Sequence, residues 1–381
     1  MTTRTIGIIV HGATGRIGST QHLANCLVPI RDEGGLQVGA DRVVPRLMLV
    51  GRTRDKLEPL AAKLGAEWST DLDRVLADPA YAVFCDTAAT ALRPAILRKA
   101  LAAGKHAYCE KPLAPSVAEG IELLALAEAS GLRHGAVEDK LYLPGLQKLT
   151  RLVERGFFGR IVGFRLEFGW WVFDGTEVAC QRPSWNYKKS SGGGMLFDMY
   201  PHWRYVIEGL LGPIRRVVAA ASTATPQRID EHGARYAVDV EDNAHALVEL
   251  DNGAIGTVLS SWATRVRRDD LVTFQIDGTR GSALAGLHRC FTQTSAEAPS
   301  IAHVSVAVDA GIDYRQHWRE DTDPVSAKNP YRFGWENFLR HVHAGEPMRA
   351  DFAAGIRDVQ LAEACHRSLR DGAWVGLERI A

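Results

Sequence analysis

The sequence predicts an α/β domain with a parallel sheet, followed by an α+β domain with a mainly antiparallel sheet. Over residues 1–137, short apolar runs alternate with helical patterns, as they do in a parallel sheet covered by helices. Beyond them, apolar and polar residues alternate along the runs, and Asp251-Asn252-Gly253 is a hairpin turn signal. A chain of 381 residues is long enough for two domains. We therefore predict domains at 1–138 and 139–381, and the last helix can pack back on the first domain.

The composition is typical of a soluble globular protein, with 46% hydrophobic and 24% charged residues. Its 45 basic and 45 acidic residues balance, which argues against binding to nucleic acid or to a membrane surface. The longest apolar runs are far shorter than a membrane span, and the first ten residues lack a signal-peptide pattern. Six scattered cysteines without a C-x-x-C pair predict buried thiols in a reducing compartment and no metal site. We expect a cytoplasmic protein.

The first strand and the turn after it indicate a dinucleotide-binding unit. The apolar run Ile6–Val10 leads directly into Gly12, Gly15 and Gly18, and a helical pattern follows to about Ile30. These glycines would permit a tight turn, close approach to a pyrophosphate, and close packing of helix on strand. The helix N-terminus would direct N–H groups at the phosphates. The predicted cofactor contacts in this turn are Gly12, Thr14, Gly15, Arg16, Ile17 and Gly18.

The rest of the first domain follows from the same alternation of apolar runs and helical patterns. We interpret residues 31–45, which contain three glycines, as an extended loop before a second strand at Leu47–Val50. Further strands are predicted at 81–87, 105–109 and 133–137, helices at 54–64, 95–103 and 117–129, and a short amphipathic turn at 72–76.

The second domain begins with a predicted helix at 141–154. Strands are predicted at 161–168, 244–250, 254–261, 272–276 and 281–284, and two late helices at 335–343 and 353–370. Residues 287–330 are poorly patterned, and we assign no structure to them.

Two strand ends of the first domain carry information about the cofactor, because ligands of such sheets bind beyond the carboxyl ends of the strands. The second strand ends at Gly51-Arg52-Thr53, without the acid that would bind the adenosine ribose hydroxyls. Arg52 would suit a 2′-phosphate, although an exposed arginine without a ligand is an equal alternative. We therefore expect NAD(P) with a slight preference for NADP. The strand predicted at 81–87 supplies the second strand end, and the predicted cofactor contacts at the two ends are Arg52, Thr53, Thr87 and Ala88.

Two further motifs carry groups suited to chemistry. Lys111, in Glu110-Lys111-Pro112 after a strand, is either a solvated charge or a cation held near the nicotinamide and the reacting hydroxyl. The glycines 192–194 allow close approach to a ligand. Asp198 and His202 follow them four residues apart, on one face of a helix, although an unrelated acid and histidine explain this spacing too. Pro201 predicts that this helix begins late or kinks there.

Together these motifs, in this order, resemble the Gfo/Idh/MocA family of NAD(P)-dependent oxidoreductases, which includes glucose–fructose oxidoreductase and inositol dehydrogenase. The resemblance implies an α/β Rossmann domain followed by an α+β domain with an open, mainly antiparallel sheet. It also implies hydride transfer between nicotinamide and a carbinol or carbonyl carbon of a sugar, glycoside or polyol. A homo-oligomer, dimer or tetramer, formed through the second-domain sheet is expected as well.

The resemblance also assigns roles to residues. Lys111 matches the lysine that contacts cofactor and substrate, Asp198 the substrate-binding aspartate and His202 the acid/base histidine, and we take these three as catalytic. The pKa of an ordinary histidine suits a general base near neutral pH. Glu110 joins the predicted cofactor contacts.

The substrate site is predicted less directly. Lys140 and Tyr142 stand where the family has Arg-Phe, and Trp185 and Tyr187 offer aromatic faces that stack on sugar rings, with core packing as the alternative. The predicted substrate-binding residues are Lys111, Lys140, Tyr142, Trp185, Tyr187, Asp198 and His202.

Two other functions are compatible with parts of the sequence. A reductase resembling dihydrodipicolinate reductase would share the glycine-rich turn of residues 12–18, but Glu110-Lys111-Pro112 and the Asp198–His202 pair argue against it. A regulator that senses NADP(H) without turnover would be favoured if Lys111 and His202 lay far from the nicotinamide.

Overall fold

The computed structural model describes residues 2–267, 270–298 and 316–380. They form a Rossmann-like domain built on a mainly parallel sheet, followed by a domain with a mixed, mostly antiparallel sheet, so the predicted fold class is confirmed. The seven strands of the first sheet are β1 Thr2–His11, β2 Leu36–Val38, β3 Asp41–Val50, β4 Glu67–Ser69, β5 Tyr81–Asp86, β6 His106–Cys109 and β7 His134–Ala136.

The order of strands in the first sheet creates the ligand-binding edge. The strands lie in the order β2-β3-β1-β5-β6-β7, with β4 also paired to β3, and all pairs but β2–β3 are parallel. The chain leaves β1 towards one side of the sheet and later returns to its other side at β5. The loops after β1 and β5 therefore lie side by side at the carboxyl edge, where such sheets bind ligands.

Helices cover this sheet on both faces. The first begins as a π-helix at Ile17–Leu27, which continues into an α-helix. The α-helices are α1 Val28–Asp32, α2 Arg54–Leu64, α3 Leu72–Leu76, α4 Arg93–Ala102 and α5 Val117–Ala129. Their positions agree with the predicted helices within two or three residues.

The extended loop predicted at 31–45 is wrong. Instead, β2 and the start of β3 form a hairpin closed by Gly39-Ala40, in which Val38 faces Asp41 across the turn. Gly39 has φ +58, a left-handed conformation that glycine adopts without strain. Leu36, Val38 and Val43 are buried, so the hairpin extends the first core.

The second sheet has nine strands among the described residues, in the order β17-β16-β15-β14-β8-β13-β12-β9-β18. The pair β8–β13 is parallel and the other pairs are antiparallel, and a separate hairpin pairs β10 with β11. The bounds are β8 Ile161–Phe168, β9 Ile214–Ser222, β10 Gln227–Ile229, β11 Arg235–Ala237, β12 Asn243–Leu250, β13 Ile255–Ser261, β14 Val272–Gly278, β15 Gly281–Ala285, β16 Cys290–Thr294, β17 Arg319–Glu320 and β18 Val375–Gly376.

The remaining α-helices are α6 Pro144–Glu154, α7 Met195–Leu211, α8 Pro330–Ala344 and α9 Phe352–Asp371. The helix predicted from residue 141 begins later, because Leu143 before Pro144 is extended (ψ 137°). Of the two alternatives predicted for Pro201, a late start of α7 is wrong, since this helix begins at Met195 and runs through Pro201, and a kink at Pro201 stays a prediction. Of the unassigned residues 287–330, part forms β16 and β17, and 299–315 lie outside the described residues. Within the described residues, no helix has both the length and the hydrophobicity to cross a membrane.

Buried apolar side chains form one cluster on each face of the first sheet and one between the second sheet and α7. Helix α8 packs into a first-sheet cluster through Trp335 and Phe338. Helix α9 packs Phe352 and Ile356 into the other first-sheet cluster, and Cys365 into the second-sheet core. These two helices connect the halves of the molecule, and the domain boundary near 138 stays a prediction.

Candidate active site

The glycine-rich turn after β1 forms a tight cradle against the loop after β5. Gly12 has φ +75, and a Cβ there would lie 2.9 Å from the backbone nitrogen of Ala88. A Cβ at Gly18 would lie 2.6 Å from Thr87 Oγ1, so the helix can approach the strand only without a side chain. Arg16 is exposed at the start of the helix beside this turn. The cradle and the helix N-terminus fit the pyrophosphate of NAD(P).

A buried arginine that the sequence did not reveal ties this cradle to the lysine motif. Arg93 donates from Nε to Asp86 Oδ2 (2.9 Å), from Nη2 to the carbonyl oxygen of Ala88 (2.8 Å), and from Nη1 to the carbonyl oxygen of Pro112. Burial opposes the charged form of Asp86, but His11 and Arg93 outweigh it and lower the pKa of this carboxyl. The loop after β5 and the loop after β6 are therefore held in one fixed arrangement.

The predicted cofactor contacts Arg52 and Thr53 differ from Glu110 in their surroundings. Arg52 and Thr53 are exposed at the end of β3, open to a ligand on that edge. Glu110 is only 6% exposed, and its oxygens accept hydrogen bonds from His22 Nε2 (2.8 Å) and the backbone N–H of Lys111 (3.2 Å). These bonds anchor the lysine loop, and the predicted cofactor contact of Glu110 stays a prediction.

The structure brings Lys111 and Asp198 into direct contact across the two domains. Lys111 Nζ donates to Asp198 Oδ1 at 2.8 Å and to the carbonyl oxygen of Asp198 at 2.6 Å. Asp198 lies in the first turn of α7, after Gly194, whose φ is +124. The other oxygen, Oδ2, lies 2.5 Å from Arg182 Nη1. Asp198 is thus held between two cations.

This environment decides the charge of Asp198. Burial disfavours the carboxylate, yet Arg182 and Lys111 more than compensate and lower the pKa of Asp198 from 3.8 to about 2. An acid of that strength is a poor proton acceptor at neutral pH. Asp198 is therefore a carboxylate that contacts Lys111 and Arg182 and can accept hydrogen bonds.

His202 lies one turn further along α7 and is 5% exposed. Its Nδ1 is 2.7 Å from the hydroxyl oxygen of Tyr205, which donates to Asp139 Oδ1 at 2.9 Å. Tyr205 is the group bonded to this imidazole. Burial, followed by the charges of Lys111, Lys140 and Arg182, lowers the pKa of His202 well below 6.5. The imidazole is therefore neutral at neutral pH and can accept a proton.

The three aromatic residues predicted to bind substrate have different surroundings in the structure. Tyr187 is fully buried, and its hydroxyl donates to the carbonyl oxygen of Phe173 at 3.1 Å, so its predicted substrate contact is corrected to a packing role. Tyr142 stacks on Phe333, with ring centroids 4.8 Å apart, and lines a cavity of about 160 Å³ beside α8 that contains neither Lys111 nor His202. Trp185 is 52% exposed and free to contact a ligand.

Lys140 does lie in the cluster, since its ammonium group pairs with Asp139 and its charge acts on both Asp198 and His202. Arg182, Tyr205 and Asp139 belong to the same cluster and were missed. Helical spacing could have revealed Tyr205, which is three residues after His202 on α7. No periodicity marks Arg182, which lies in an irregular loop.

The fold and this site define an NAD(P)-dependent oxidoreductase. Residues 6–136 match the model of an oxidoreductase family with an NAD-binding Rossmann fold, and residues 146–284 match that of the GFO/IDH/MocA C-terminal domain. The chain belongs to this family, and the predicted resemblance is confirmed.

Its relatives include sugar dehydrogenases. The chain is 45% identical over 368 residues to D-xylose dehydrogenase of Paenarthrobacter nicotinovorans, which covers 95% of this chain and 94% of the relative. It is 30% identical over 246 residues to levoglucosan dehydrogenase of Pseudarthrobacter phenanthrenivorans. This match covers 60% of this chain and 62% of the relative. The predicted class, a sugar dehydrogenase that acts on CH–OH groups with NAD(P), is confirmed at this level.

Solved structures share the fold over the whole chain. Levoglucosan dehydrogenase in complex with NADH and levoglucosan superposes with a TM-score of 0.81 at 21% identity, covering 99% of this chain and 100% of that one. An NAD binding oxidoreductase from Klebsiella pneumoniae gives 0.81 at 23% identity, with the same coverage. At these identities the similarity shows the fold alone.

Proposed function

We propose that this chain oxidises an aldose sugar, with D-xylose as the first substrate, by moving a hydride from a C–OH carbon to NAD(P)⁺. The observation that carries the proposal is the meeting of Lys111, Asp198 and His202 at one site, next to the lysine loop that Arg93 ties to the cofactor cradle. The D-xylose dehydrogenase relative supports the substrate, because it spans nearly the whole of both chains.

In the proposed mechanism each of the three residues has one task. Nicotinamide, when bound, supplies the hydride acceptor. Lys111, whose ammonium group contacts Asp198, polarises the reacting hydroxyl oxygen. His202 accepts the hydroxyl proton as the carbonyl forms, because its lowered pKa keeps the imidazole neutral. In the reverse direction the protonated imidazole returns that proton.

The remaining polar groups of the site would select the substrate. Lys140 and Arg182 add donors beside Asp198, and a sugar carries several hydroxyls that can accept from them. Trp185, half exposed, offers an aromatic face for a sugar ring. The proposed substrate contacts are therefore Lys111, Lys140, Tyr142, Arg182, Trp185, Asp198 and His202.

We propose that NADP(H) binds at least as tightly as NAD(H). Gly51-Arg52-Thr53 at the end of β3 contains no acid that would repel a 2′-phosphate, and the side chain of Arg52 is exposed there. The proposed cofactor contacts are Gly12, Thr14, Gly15, Arg16, Ile17, Gly18, Arg52, Thr53, Thr87, Ala88, Glu110 and Lys111.

The proposed oligomer forms through the second sheet. Leu247 on β12 and Ile255 on β13 are 43% and 51% exposed, and the strand register places them with Val218 on one face. An exposed apolar face of this kind suits a second copy of the chain. Sedimentation velocity should show the wild-type protein as a dimer or tetramer, and Leu247→Glu should lower the fraction of protein in this oligomer. A wild-type monomer would contradict the proposal.

The proposed compartment is the cytoplasm. All six cysteines are free thiols, and five of them are buried. Buried free thiols are usual where the surroundings are reducing. Fractionation of the source cells would test this assignment.

A substrate panel tests the activity. Purified protein is mixed with NAD⁺ or NADP⁺ and with D-xylose, other aldoses, levoglucosan or inositol, and reduced nicotinamide is followed by absorbance. We expect turnover with D-xylose above that with inositol. Tight cofactor binding without turnover of any sugar would instead favour the sensing regulator.

A further inference from the structure

We infer that Tyr205 and Asp139 are positioning residues that hold His202 with its proton on Nδ1, so that Nε2 takes the proton of the substrate hydroxyl. This inference rests on the proposed function and adds two residues to it. Neither belongs to the motifs that identify the site, and neither contacts the reacting atoms.

The three residues form a continuous chain of hydrogen bonds. The His202 Nδ1 atom is 2.7 Å from the Tyr205 hydroxyl oxygen, and that hydroxyl is 2.9 Å from Asp139 Oδ1. The same hydroxyl oxygen accepts from the backbone N–H of Lys140 at 3.1 Å. A direct hydrogen bond between Nδ1 and Asp139 is excluded by their separation of 3.7 Å. The hydroxyl is therefore the link.

The direction of each bond follows from the number of protons available. A tyrosine hydroxyl has one proton, and a carboxylate can only accept. Asp139 Oδ2 pairs with the Lys140 ammonium group, so Asp139 is a carboxylate and the Tyr205 proton points to it. The hydroxyl oxygen must then accept from Nδ1. The neutral imidazole consequently carries its proton on Nδ1 and a lone pair on Nε2.

Burial keeps this arrangement in place. The side chains of His202 and Asp139 are 6% and 4% exposed, and Tyr205 is fully buried. Burial and then the charge of Asp139 raise the pKa of Tyr205 well above 10, so its hydroxyl keeps its proton. Water cannot easily replace the hydroxyl as a partner of Nδ1 in such surroundings.

The charges around His202 give this chain of hydrogen bonds a second effect, on the stability of the imidazolium. The groups that act on the imidazole from the packed elements are Lys111, Lys140, Arg182, Asp139 and Tyr205. Three of these are cations that oppose an imidazolium. When Nε2 gains the hydroxyl proton, the imidazolium formed donates through Tyr205 towards the negative Asp139. The carboxylate therefore favours the charge that the step creates, and the hydride leaves the substrate carbon for the nicotinamide.

Kinetics of two variants test the inference. Tyr205→Phe removes the hydroxyl and leaves the ring, and we expect kcat for sugar oxidation to fall about 10- to 100-fold, as for loss of a group that orients a histidine. KM for the sugar and Kd for the cofactor should change less than about threefold, since neither ligand touches Tyr205. Asp139→Asn removes the charge, and the acid limb of the kcat profile should move to lower pH.

A matched control separates positioning from packing. Tyr200 lies on α7 as well, is fully buried, and has its hydroxyl 3.5 Å from the carbonyl oxygen of Val258, away from His202. Tyr200→Phe should keep the wild-type kcat and pH profile. In a His202→Ala background, adding Tyr205→Phe should cause no further loss of rate. If the rate of the double variant fell by the product of the two single-variant losses, the inference would be overturned.

A spectroscopic readout tests the tautomer without any turnover. The ring ¹⁵N signals of His202, identified among the 13 histidines by their loss in His202→Ala, should show protonated Nδ1 and unprotonated Nε2 at neutral pH. In Tyr205→Phe the two tautomers should mix. A wild-type His202 with its proton on Nε2 would overturn the inference, whether or not the protein oxidises a sugar. Failure of wild type with every sugar would instead overturn the proposed function.

Discussion

Arg182 Nη1 lies 2.5 Å from Asp198 Oδ2, opposite the oxygen that Lys111 holds. The guanidinium also lies over the rings of Trp262 and Phe173, with distances of 5.0 and 5.4 Å to the ring centroids. Arg182 is thereby fixed on two sides by aromatic rings and on a third by the carboxylate. The position of Asp198, and through it of Lys111, depends on this arginine.

We expect Arg182→Met to lower kcat/KM for the sugar by about 10-fold or more, a loss of at least about 1.4 kcal/mol in transition-state binding. Methionine keeps much of the packing between the two rings but leaves Asp198 with one cation, so its pKa should rise above about 2. Steady-state kinetics measure the loss. Arg265→Met, which removes an exposed ion pair with Glu177, is the control and should match wild type.

Lys111→Ala should damage turnover far more than cofactor binding. The ammonium group contacts Asp198, whereas the pyrophosphate would be held mainly by the turn at Gly12–Gly18. We expect kcat to fall about 100-fold or more, with the cofactor Kd changed less than about threefold. The exposed Lys99, paired with Asp73, supplies the control variant Lys99→Ala. A wild-type kcat in Lys111→Ala would leave this lysine with a structural role only, as the partner of Asp198.

The pH dependence should follow the lowered pKa of His202. The imidazole is the active base above its pKa, which lies well below 6.5, so oxidation should stay on its plateau through pH 6.5 and decline only in more acidic solution. In reduction, where the imidazolium donates, the rate should instead rise as pH falls. His202→Ala should be about 10²- to 10⁴-fold slower. His288→Ala, at an exposed histidine, is the control. An unchanged pH profile of the rate in His202→Ala would refute the assignment of His202 as the base.

NADP(H) should bind at least as tightly as NAD(H). Arg52→Ala should weaken NADP(H) about tenfold, or about 1.4 kcal/mol, and leave NAD(H) unaffected. Fluorescence titration of both cofactors measures this, with Lys56→Ala on α2 as an exposed control. If wild type bound NAD(H) more than about tenfold tighter, the preference would be wrong.

Arg93→Met should destabilise the protein by about 3–5 kcal/mol, because it leaves the buried Asp86 carboxylate without its guanidinium partner. Arg98→Met, on the same helix, breaks only an exposed pair with Glu122 and should cost less than about 1 kcal/mol. Urea unfolding of the two variants and wild type gives both values. Equal stability of the two variants would contradict the structural role of Arg93.

The sequence was sufficient for those parts of the site that local rules govern. The carboxyl-edge rule located the loop of Lys111, and the helical period located Asp198 and His202 on one face. The hairpin at β2 was missed because a three-residue strand has too few alternations to be recognised. The boundaries of α6 and α7 depended on proline, whose effect varies with its position in the helix.

Long-range contacts could not be predicted in the same way. Tyr205 and Asp139 are 66 residues apart, and only the packing of α7 on the end of the first sheet brings them together. Tyr187 was misjudged because an aromatic residue in a loop can face the core or the solvent, and the sequence does not distinguish the two. The three partners of Arg93 lie at two different strand ends, and no local sequence pattern connects them to it.

The contacts of α7 with the end of β7 have a consequence for engineering. Glu138 accepts from Arg204 at 2.7 Å and Asp139 from Tyr205 at 2.9 Å, so two consecutive residues hold two consecutive residues of the helix. A single insertion or deletion in this connection would break both pairs at once. A chimera that joins this substrate domain to the nucleotide-binding half of another family member should therefore be cut before residue 138, so that both pairs come from one parent.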